Sequence, residues 1–419
     1  MKKLILFSVL MLMMSCSDTD FTSNNQQADS CGRPSKVCRS ESEAIQIAND
    51  FAESINLSTR SKTRRASSEN LGYILDSHSR TTIDTIMYVV HYHDNEGFAL
   101  IARNPEATPV IAVIDSGQYN PNDISDNQGF NDFIECARAY AITPTDSIYD
   151  KPIPVPISYS NSYHINPVLE VEWGQNYPEG IYCPNGISGC VQTALAQMMS
   201  YLEAPSFIKL TYPSRDANIQ ELNWTELKKH KQSCNSTDFV VEWHKQTCAA
   251  TEETHTALGR LCRELGHRNA ATYNTDNTTG ALSKNALATM KSLLPEYTIT
   301  DFKYHSPYTI YDYIKTNYAI VYYEGFTGIN GEGHAWVCDG AHYYHLHSGI
   351  PLAGGGNDIT EIYLHFNWGW NGSYNGYFLA EVYNTAKGTP DDRLPEGDFS
   401  QSRSDFSYNV KQFAIYKPK

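Results

Sequence analysis

Residues 173–205, WGQNYPEGIYCPNGISGCVQTALAQMMSYLEAP, guide the interpretation of the whole chain. Beyond Cys190, apolar residues recur with the spacing of one helical face; they are Val191, Ala194, Leu195, Met198 and Leu202. Pro205 follows and ends the pattern. The segment therefore predicts a buried α-helix with Cys190 at or just before its first turn.

A cysteine at a helix start has unusual chemistry. Unpaired backbone N–H groups and the positive end of the helix dipole favour the thiolate over the thiol. Gly189 lets the backbone bend and lets another segment approach closely. These features suit a nucleophile, although a cysteine there more often only packs in the core.

Two downstream motifs carry further candidates. GHAWV at residues 333–337 follows a β-branched and aromatic run, so His334 opens the second strand of a predicted hairpin. HFNWGWNG at residues 365–372 predicts a strand that runs into a Gly/Asn turn. A lone histidine in a strand is usually structural, and two tryptophans around a glycine usually serve packing.

The order of the candidates is informative. Cys190 precedes His334, which precedes Asn367. Papain-like proteases place the nucleophile, its base and the orienting amide in this order. Spacing alone does not establish the relationship, because local signatures differ between families.

Three motifs together resemble one family. WGQ with GCVQTALAQMMSYLEAP, GHAWVCDGA and HFNWGWNG are similar to the streptopain family of bacterial cysteine peptidases, over about residues 40–419. The resemblance implies an α+β fold: a papain-like peptidase with a helical half and an antiparallel β half, preceded by an α+β propeptide domain. It implies a cleft between the two halves.

The resemblance also implies roles. Cys190 would attack a peptide carbonyl as a thiolate, with His334 as its ion-pair partner and then as the acid. Asn367 would accept the second N–H of the His334 ring, and Trp368 would shield this contact from water. Gln175 would donate to the developing oxyanion together with the Cys190 backbone N–H.

Substrate contacts follow from the same resemblance. The Gly333 backbone should pair with the substrate, and Thr279 should line the same wall. The segment around Thr279 has fewer glycines and serines than the family usually shows. The segment between the His334 strand and the Asn-Trp turn, residues 343–363, is also longer than expected for the family. This length predicts an enlarged hairpin loop that could overhang the cleft.

The amino terminus predicts export. Residues 1–16 combine two lysines, a short apolar stretch and a Ser-Cys pair, which resembles a lipoprotein signal with Cys16 as the lipidated residue. A plain secretory signal cut a few residues later is the alternative. We expect an outer-membrane-anchored lipoprotein on the periplasmic or surface face, with possible release after processing. Residues 17–40 predict a flexible tether.

Three further regions complete the organisation. Residues 41–143 predict a propeptide-like inhibitory domain with a helix to about residue 55, antiparallel strands that include a hairpin turning at residues 94–97, and a helix over residues 130–140. The alternative is an accessory domain that never leaves. Residues 144–165 contain several prolines and predict an activation linker without lasting regular structure. Residues 166–419 predict the catalytic domain.

Composition limits the partners. The formal net charge of −15 argues against nucleic-acid binding. We expect protein or peptide substrates, the propeptide as an intramolecular inhibitor, a membrane anchor and no cofactor. His342, His345, His347 and His365 could suggest zinc, but no cysteine or carboxylate spacing supports a metal site, so a solvated loop edge is expected.

The cysteines leave alternatives open. Cys31 and Cys38 could close a small disulfide loop, and other pairings are not readable from ten cysteines. A Cys183–Cys190 bridge would silence the nucleophile reversibly.

The sequence thus predicts the zymogen of an exported cysteine endopeptidase. One alternative is a catalytically silent relative that acts as a protein-binding or inhibitor lipoprotein. Another is a Cys-His amidase that acts on cell-wall peptides.

Overall fold

A computed structural model describes residues 38–56, 64–76, 84–123, 125–142, 157–211, 218–231, 250–326, 333–348, 358–383 and 410–418. The signal segment with Cys16, Cys31 and most of the tether lie outside these residues. Cys38 is disulfide-bonded. None of the helices in the described ranges combines the length and the apolar character needed to cross a bilayer.

Helices lie in both parts of the chain. They are α1 (Glu41–Asn56), α2 (Gln128–Ile142), α3 (Cys190–Leu202), α4 (Trp224–Leu227), α5 (Glu252–Arg268), α6 (Ser283–Leu293) and α7 (Pro307–Asn317).

The strands are mostly antiparallel partners in one large sheet. They are β1 (Ala66–Leu75), β2 (Thr85–Tyr92), β3 (Phe98–Ala102), β4 (Val110–Ile114), β5 (Ile157–Ile165), β6 (Phe207–Leu210), β7 (Asn218–Glu221), β8 (Thr272–Tyr273), β9 (Thr279–Gly280), β10 (Thr298–Ile299), β11 (Lys303–Tyr304), β12 (Ile320–Phe326), β13 (Gly333–Ser348), β14 (Asp358–Asn367), β15 (Gly376–Leu379) and β16 (Lys411–Tyr416).

Local sequence signals explain the amino-terminal unit, residues 41–142. Ser40 and Glu43 form a capping box, because each side chain accepts from the other's backbone N–H. Asn127 caps α2 by accepting from the Phe130 N–H at 3.0 Å. The β2–β3 connection turns where Asp94 has a positive φ of 58°. The predicted helix, strands and hairpin are therefore present.

One sheet connects the amino-terminal unit with the rest of the chain. Within the described residues its main path runs β1-β2-β3-β4-β15-β14-β13-β12-β16-β10, and β5 and β11 pair off this path. The junction is β4 with β15, where Gly376 lies opposite Ile114. The unit is thus held by a continuous backbone ladder.

Two hydrophobic cores lie on opposite sides of the β half. The first joins α1, α2 and β1–β4 to the outer face of β13 and β14, and it includes Phe51, Phe130 and Tyr363. The second joins α3, α5 and α6 to inner-face residues such as Tyr322 and Val337. This arrangement gives the mixed, two-part papain-like fold that the sequence predicts, with α3 against β12 and β13.

One expectation about the connecting segments was wrong. Residues 157–165 of the predicted linker form β5, which pairs with β13 from Ile157 opposite Ser348 to Ile165 opposite Ala341, whereas residues 144–156 lie outside the described residues. The described ends of the long segment after the His334 strand extend β13 and β14, and Tyr344 and Tyr363 contact Phe51 of α1 with ring centroids 4.9 and 4.8 Å away. The loop expected to overhang the cleft falls on residues 349–357, outside the described residues.

Candidate active site

Cys190 begins α3, and its surroundings restrict the backbone. Gly189 caps the helix with φ of +93°, a conformation that side chains rarely adopt. A Cβ on Gly189 would lie 2.8 Å from Cγ2 of Thr279. Burial raises the pKa of the Cys190 thiol, and backbone N–H groups including that of Ala335 partly offset this rise. In this form Cys190 is a thiol that has thiolate-stabilising donors close by.

Gln175 lies in a loop that is tied to the Cys190 segment. Its carbonyl oxygen accepts from the backbone N–H of Ser188 at 2.8 Å and from the Ser188 hydroxyl at 3.2 Å. Thr193 of α3 donates to the Gly174 carbonyl at 3.0 Å. These bonds fix the backbone of the Gln175 loop next to the start of α3, and Gln175 is half-buried there.

His334 is buried near Cys190 but does not bond to it in the described structure. Its Nε2 donates to the carbonyl oxygen of Trp368 at 2.9 Å, and its ring packs among the indoles of Trp336, Trp368 and Trp370. Burial lowers the pKa of His334 to about 4. The imidazole is therefore neutral, and the thiolate–imidazolium pair expected from the sequence is not formed in this state.

Asn367 also differs from its expected role here. Its Nδ2 donates to the Val171 carbonyl at 3.0 Å, and its Oδ1 accepts from the Gly369 N–H at 3.1 Å. No hydrogen bond joins His334 to Asn367 in the described structure, where the His334 Nε2 donates to the Trp368 carbonyl instead. Asn367 instead ties the end of β14 to the segment before Gln175, and its orienting role stays a prediction for another state.

Two more predicted residues lie beside the site. Thr279 donates to the Ile187 carbonyl at 3.0 Å, so it supports the turn that precedes Cys190. Gly333 is exposed at the start of β13 and pairs with Phe326 of β12. Trp368, expected to shield the histidine, is fully buried and supplies the carbonyl that holds His334.

Comparisons with known proteins identify both parts of the chain. Residues 172–378 match the model of the Peptidase C10 family, and residues 37–140 match the Spi protease inhibitor model. The chain therefore belongs to the Peptidase C10 family. This is the streptopain family of cysteine peptidases that the motifs resemble, and the inhibitor match supports a propeptide domain.

Individual relatives are more distant. The chain is 23% identical over 340 residues to the thiol protease/hemagglutinin PrtT of Porphyromonas gingivalis, covering 72% of this chain and 34% of that protein. The chain thus spans about a third of this curated relative's length.

One solved structure shows the same fold. A fragment of prointerpain A from Prevotella intermedia aligns at a TM-score of 0.51 and 18% identity, covering 82% of this chain and 97% of that fragment. Active interpain A from the same organism aligns at a TM-score of 0.38 and 19% identity, covering 61% of this chain and 95% of that one.

The propeptide of this C10 chain lies directly on the histidine. A Cβ on Gly129 of α2 would lie 2.7 Å from Cδ2 of His334 and 2.5 Å from Cε3 of Trp368. Next to it, Phe130 stacks on Tyr374 with ring centroids 4.2 Å apart and planes 5° apart. Asn127 donates to the Ser373 carbonyl at 2.9 Å. Sequence reasoning missed these contacts, because they depend on docking between distant segments.

A charged cluster lies where β4 meets the catalytic sheet. His365 bonds Asp115 of the propeptide at 2.8 Å and Asp339 at 2.5 Å. Although burial disfavours charge, the two carboxylates raise the pKa of His365 to about 10. The expected solvated loop edge was wrong for His342 and His365, because β13 and β14 are central strands and both side chains are buried. The side chains of His345 and His347 are not among those described.

Four of the described cysteines are buried, namely Cys136, Cys183, Cys262 and Cys338. Cys183, Cys262 and Cys338 are free thiols, and Cys190 is free and half-buried. The Sγ of Cys183 lies 3.8 Å from the hydroxyl of Tyr273. The Cys183–Cys190 bridge is therefore absent from this form. No group of three or more His, Cys, Asp or Glu in the described ranges is arranged to hold a metal ion.

Proposed function

We propose that this chain is the zymogen of an exported cysteine endopeptidase. The observation that carries the proposal is Cys190 at the start of α3 beside the Gln175 loop, with His334 held by the Trp368 carbonyl under the propeptide helix. Cys190 and the loop are in place, whereas His334 is bonded through Nε2 to the Trp368 carbonyl and has no hydrogen bond to Cys190 in the described structure. This arrangement suits a latent peptidase.

Removal of α2 would free space at the His334 ring. His334 could then turn from the Trp368 carbonyl towards Cys190 and accept the thiol proton, with Asn367 accepting its other N–H. The thiolate would attack the substrate carbonyl, and Gln175 and the Cys190 N–H would stabilise the oxyanion. His334 would protonate the leaving amine, and water would then release the acyl group. Gly333 and Thr279 would line the substrate's path.

Maturation tests this proposal. Residues 17–419 are incubated with dithiothreitol beside Cys190→Ala, followed by gel electrophoresis and amino-terminal sequencing. We expect shortening only when Cys190 is present, with the cut between residues 144 and 156, because the following β5 backbone is paired with β13. The matured protein should hydrolyse casein.

The same experiment separates a silent relative. A histidine directed away from Cys190 would also be seen in a protein that only binds others. If neither autoprocessing nor an added protease yields Cys190-dependent casein hydrolysis, the inert binding protein replaces the peptidase. Release of peptidoglycan fragments without casein hydrolysis would favour the cell-wall amidase.

We further propose a lipid anchor on Cys16 and an outer-membrane location on the periplasmic or surface face. The sequence of residues 1–16 supports it. Mass spectrometry of the amino-terminal peptide from detergent extracts should show a diacylated Cys16, and Cys16→Ser should release the protein. An unmodified amino terminus beyond Cys16 would instead indicate a plain secretory signal.

A further inference from the structure

A buried acid–base pair lies outside the groups assigned to the chemistry. Nε2 of His230 and Oε1 of Glu179 are 3.3 Å apart, and both side chains are fully buried. Buried ion pairs contribute little net stability compared with apolar replacements. Stability alone therefore gives a weak reason for placing this pair in the helical half.

His230 contacts both ends of one loop, and Glu179 is the last residue of that loop. Glu179 ends the segment of residues 173–179, which carries Gln175 near its middle. At the other end, Nε1 of Trp173 donates to the carbonyl oxygen of His230 at 2.8 Å. One residue, His230, thus holds the beginning of the loop through its backbone and the end through its ring.

Neighbouring contacts strengthen this anchor. The Glu172 N–H donates to the Lys231 carbonyl at 2.7 Å, which extends the backbone contact by one residue. The His255 ring lies 5.1 Å from that of His230, and its Nδ1 is 3.4 Å from the hydroxyl of Tyr177 in the same loop. The loop is therefore fixed on the side away from Cys190 as well as at Ser188 and Thr193.

We propose that His230 and Glu179 are positioning residues that hold Gln175 at the distance and angle needed to stabilise the oxyanion. This rests on the proposed peptidase function. An oxyanion donor acts mainly in the transition state, so a displaced Gln175 should lower kcat more than it changes KM. Misplacement by about 1 Å can reduce a rate by up to about a hundredfold.

The test uses the matured enzyme with Glu179→Gln and, independently, His230→Gln. We expect kcat on a peptide substrate to fall by about tenfold to a hundredfold, with KM within about twofold. Alkylation of Cys190 by iodoacetamide should keep its rate, because that displacement forms no oxyanion. Glu264→Gln is the matched control, since Glu264 is a buried carboxylate paired with Arg268 and Thr211 without contact to the loop.

A double-mutant cycle tests whether Glu179 influences kcat through Gln175. In a Gln175→Ala background, Glu179→Gln should cause little further loss of kcat, because the group that it positions is already gone. A full additional loss there, an equal fall of alkylation and kcat, or unchanged kcat in both single variants would overturn the positioning role. Failure of the proposed function is recognised separately, since the unsubstituted protein would then lack Cys190-dependent hydrolysis.

Discussion

Gly129 of the propeptide lies against the ring of His334 so closely that a Cβ there would be 2.7 Å from Cδ2. Because residue 129 has no side chain, α2 can cover the ring of His334 and the adjacent indole of Trp368. The same contact explains why His334 is buried and why burial lowers its pKa to about 4. Docking of α2 and burial of His334 are therefore one structural feature.

Gly129→Ala should weaken this docking. The added methyl group would overlap Trp368 and His334, and overpacking of this kind costs about 1–3 kcal/mol. We expect faster conversion to the short form in the maturation assay. Glu135→Ala, an exposed change on the same helix, should mature at the unsubstituted rate. Slower maturation of Gly129→Ala than of that control would contradict the interpretation.

Phe130→Ala should loosen the propeptide through a different contact. The ring is fully buried and stacks on Tyr374, and removal of a buried phenylalanine side chain costs about 3–5 kcal/mol. In a Cys190→Ala background, hydrogen exchange over residues 128–142 should accelerate. Tyr374→Phe keeps the stacked ring and should exchange as slowly as the parent. Equal protection in all three proteins would show that this stack does not hold the propeptide.

The Asp115–His365 contact predicts acid sensitivity of docking. The charges of His365 and Arg64 lower the pKa of Asp115, although burial of the carboxyl opposes this shift. The contribution of Asp115 to the stability of docking is therefore present above the ordinary aspartate range, and it is lost as pH falls through the lowered pKa. The raised pKa of His365, about 10, means that its own contribution is fully present below the ordinary histidine pKa and is lost progressively as pH rises from there through about 10. Docking should therefore change little with pH only between the ordinary aspartate and histidine pKa values.

Other titratable groups face this cluster. His342 has its pKa held well below the ordinary value by burial and by the charges of His164 and His365, and the buried Tyr377 ring lies 4.9 Å from His365. Urea unfolding of Cys190→Ala from pH 7 to pH 3 should show a falling midpoint for propeptide release. The Asp115→Asn variant should have a lower urea midpoint at pH 7, and its midpoint should depend less on pH. An equally steep decline in that variant would assign the acid sensitivity to other groups.

Gly189→Ala should reduce hydrolysis strongly. A Cβ would lie 2.8 Å from Thr279 Cγ2, and φ of +93° is strained for alanine. Thr279→Ser removes that methyl group but leaves the backbone strain, so the double variant should recover only part of the kcat lost by Gly189→Ala. Complete recovery would show that contact with Thr279, rather than the backbone, requires the glycine.

The sequence predicted those parts of the fold that have local causes. The periodic apolar residues after Cys190 predicted α3, and the β-branched strands and the turn at Gly97 predicted the hairpin of the amino-terminal unit. It failed for β5, because prolines before it suggested irregular structure, whereas pairing with β13 supplies the missing hydrogen bonds. His365 was misjudged for a similar reason, since its burial depends on strand order.

The sequence predicted which residues form the candidate site but not the conformation that they adopt. Cys190 begins α3 as the periodicity predicted, and the backbone of the Gln175 loop is bonded to Ser188 just before it. The direction of His334 could not be read, because it depends on Gly129, more than two hundred residues earlier in the chain.

The pH dependence of Cys190 alkylation tests the central claim most directly. Intact and matured chains in one sample are treated briefly with iodoacetamide from pH 5 to pH 9, and mass spectrometry measures the label on each species. In the intact chain the thiol should react only as pH rises towards its raised pKa. In the matured chain His334 should sustain a reactive thiolate at pH 6, and His334→Ala, shortened by an added protease because it cannot process itself, should lack that reactivity. Identical profiles for intact and matured Cys190 would contradict a base that the propeptide holds away.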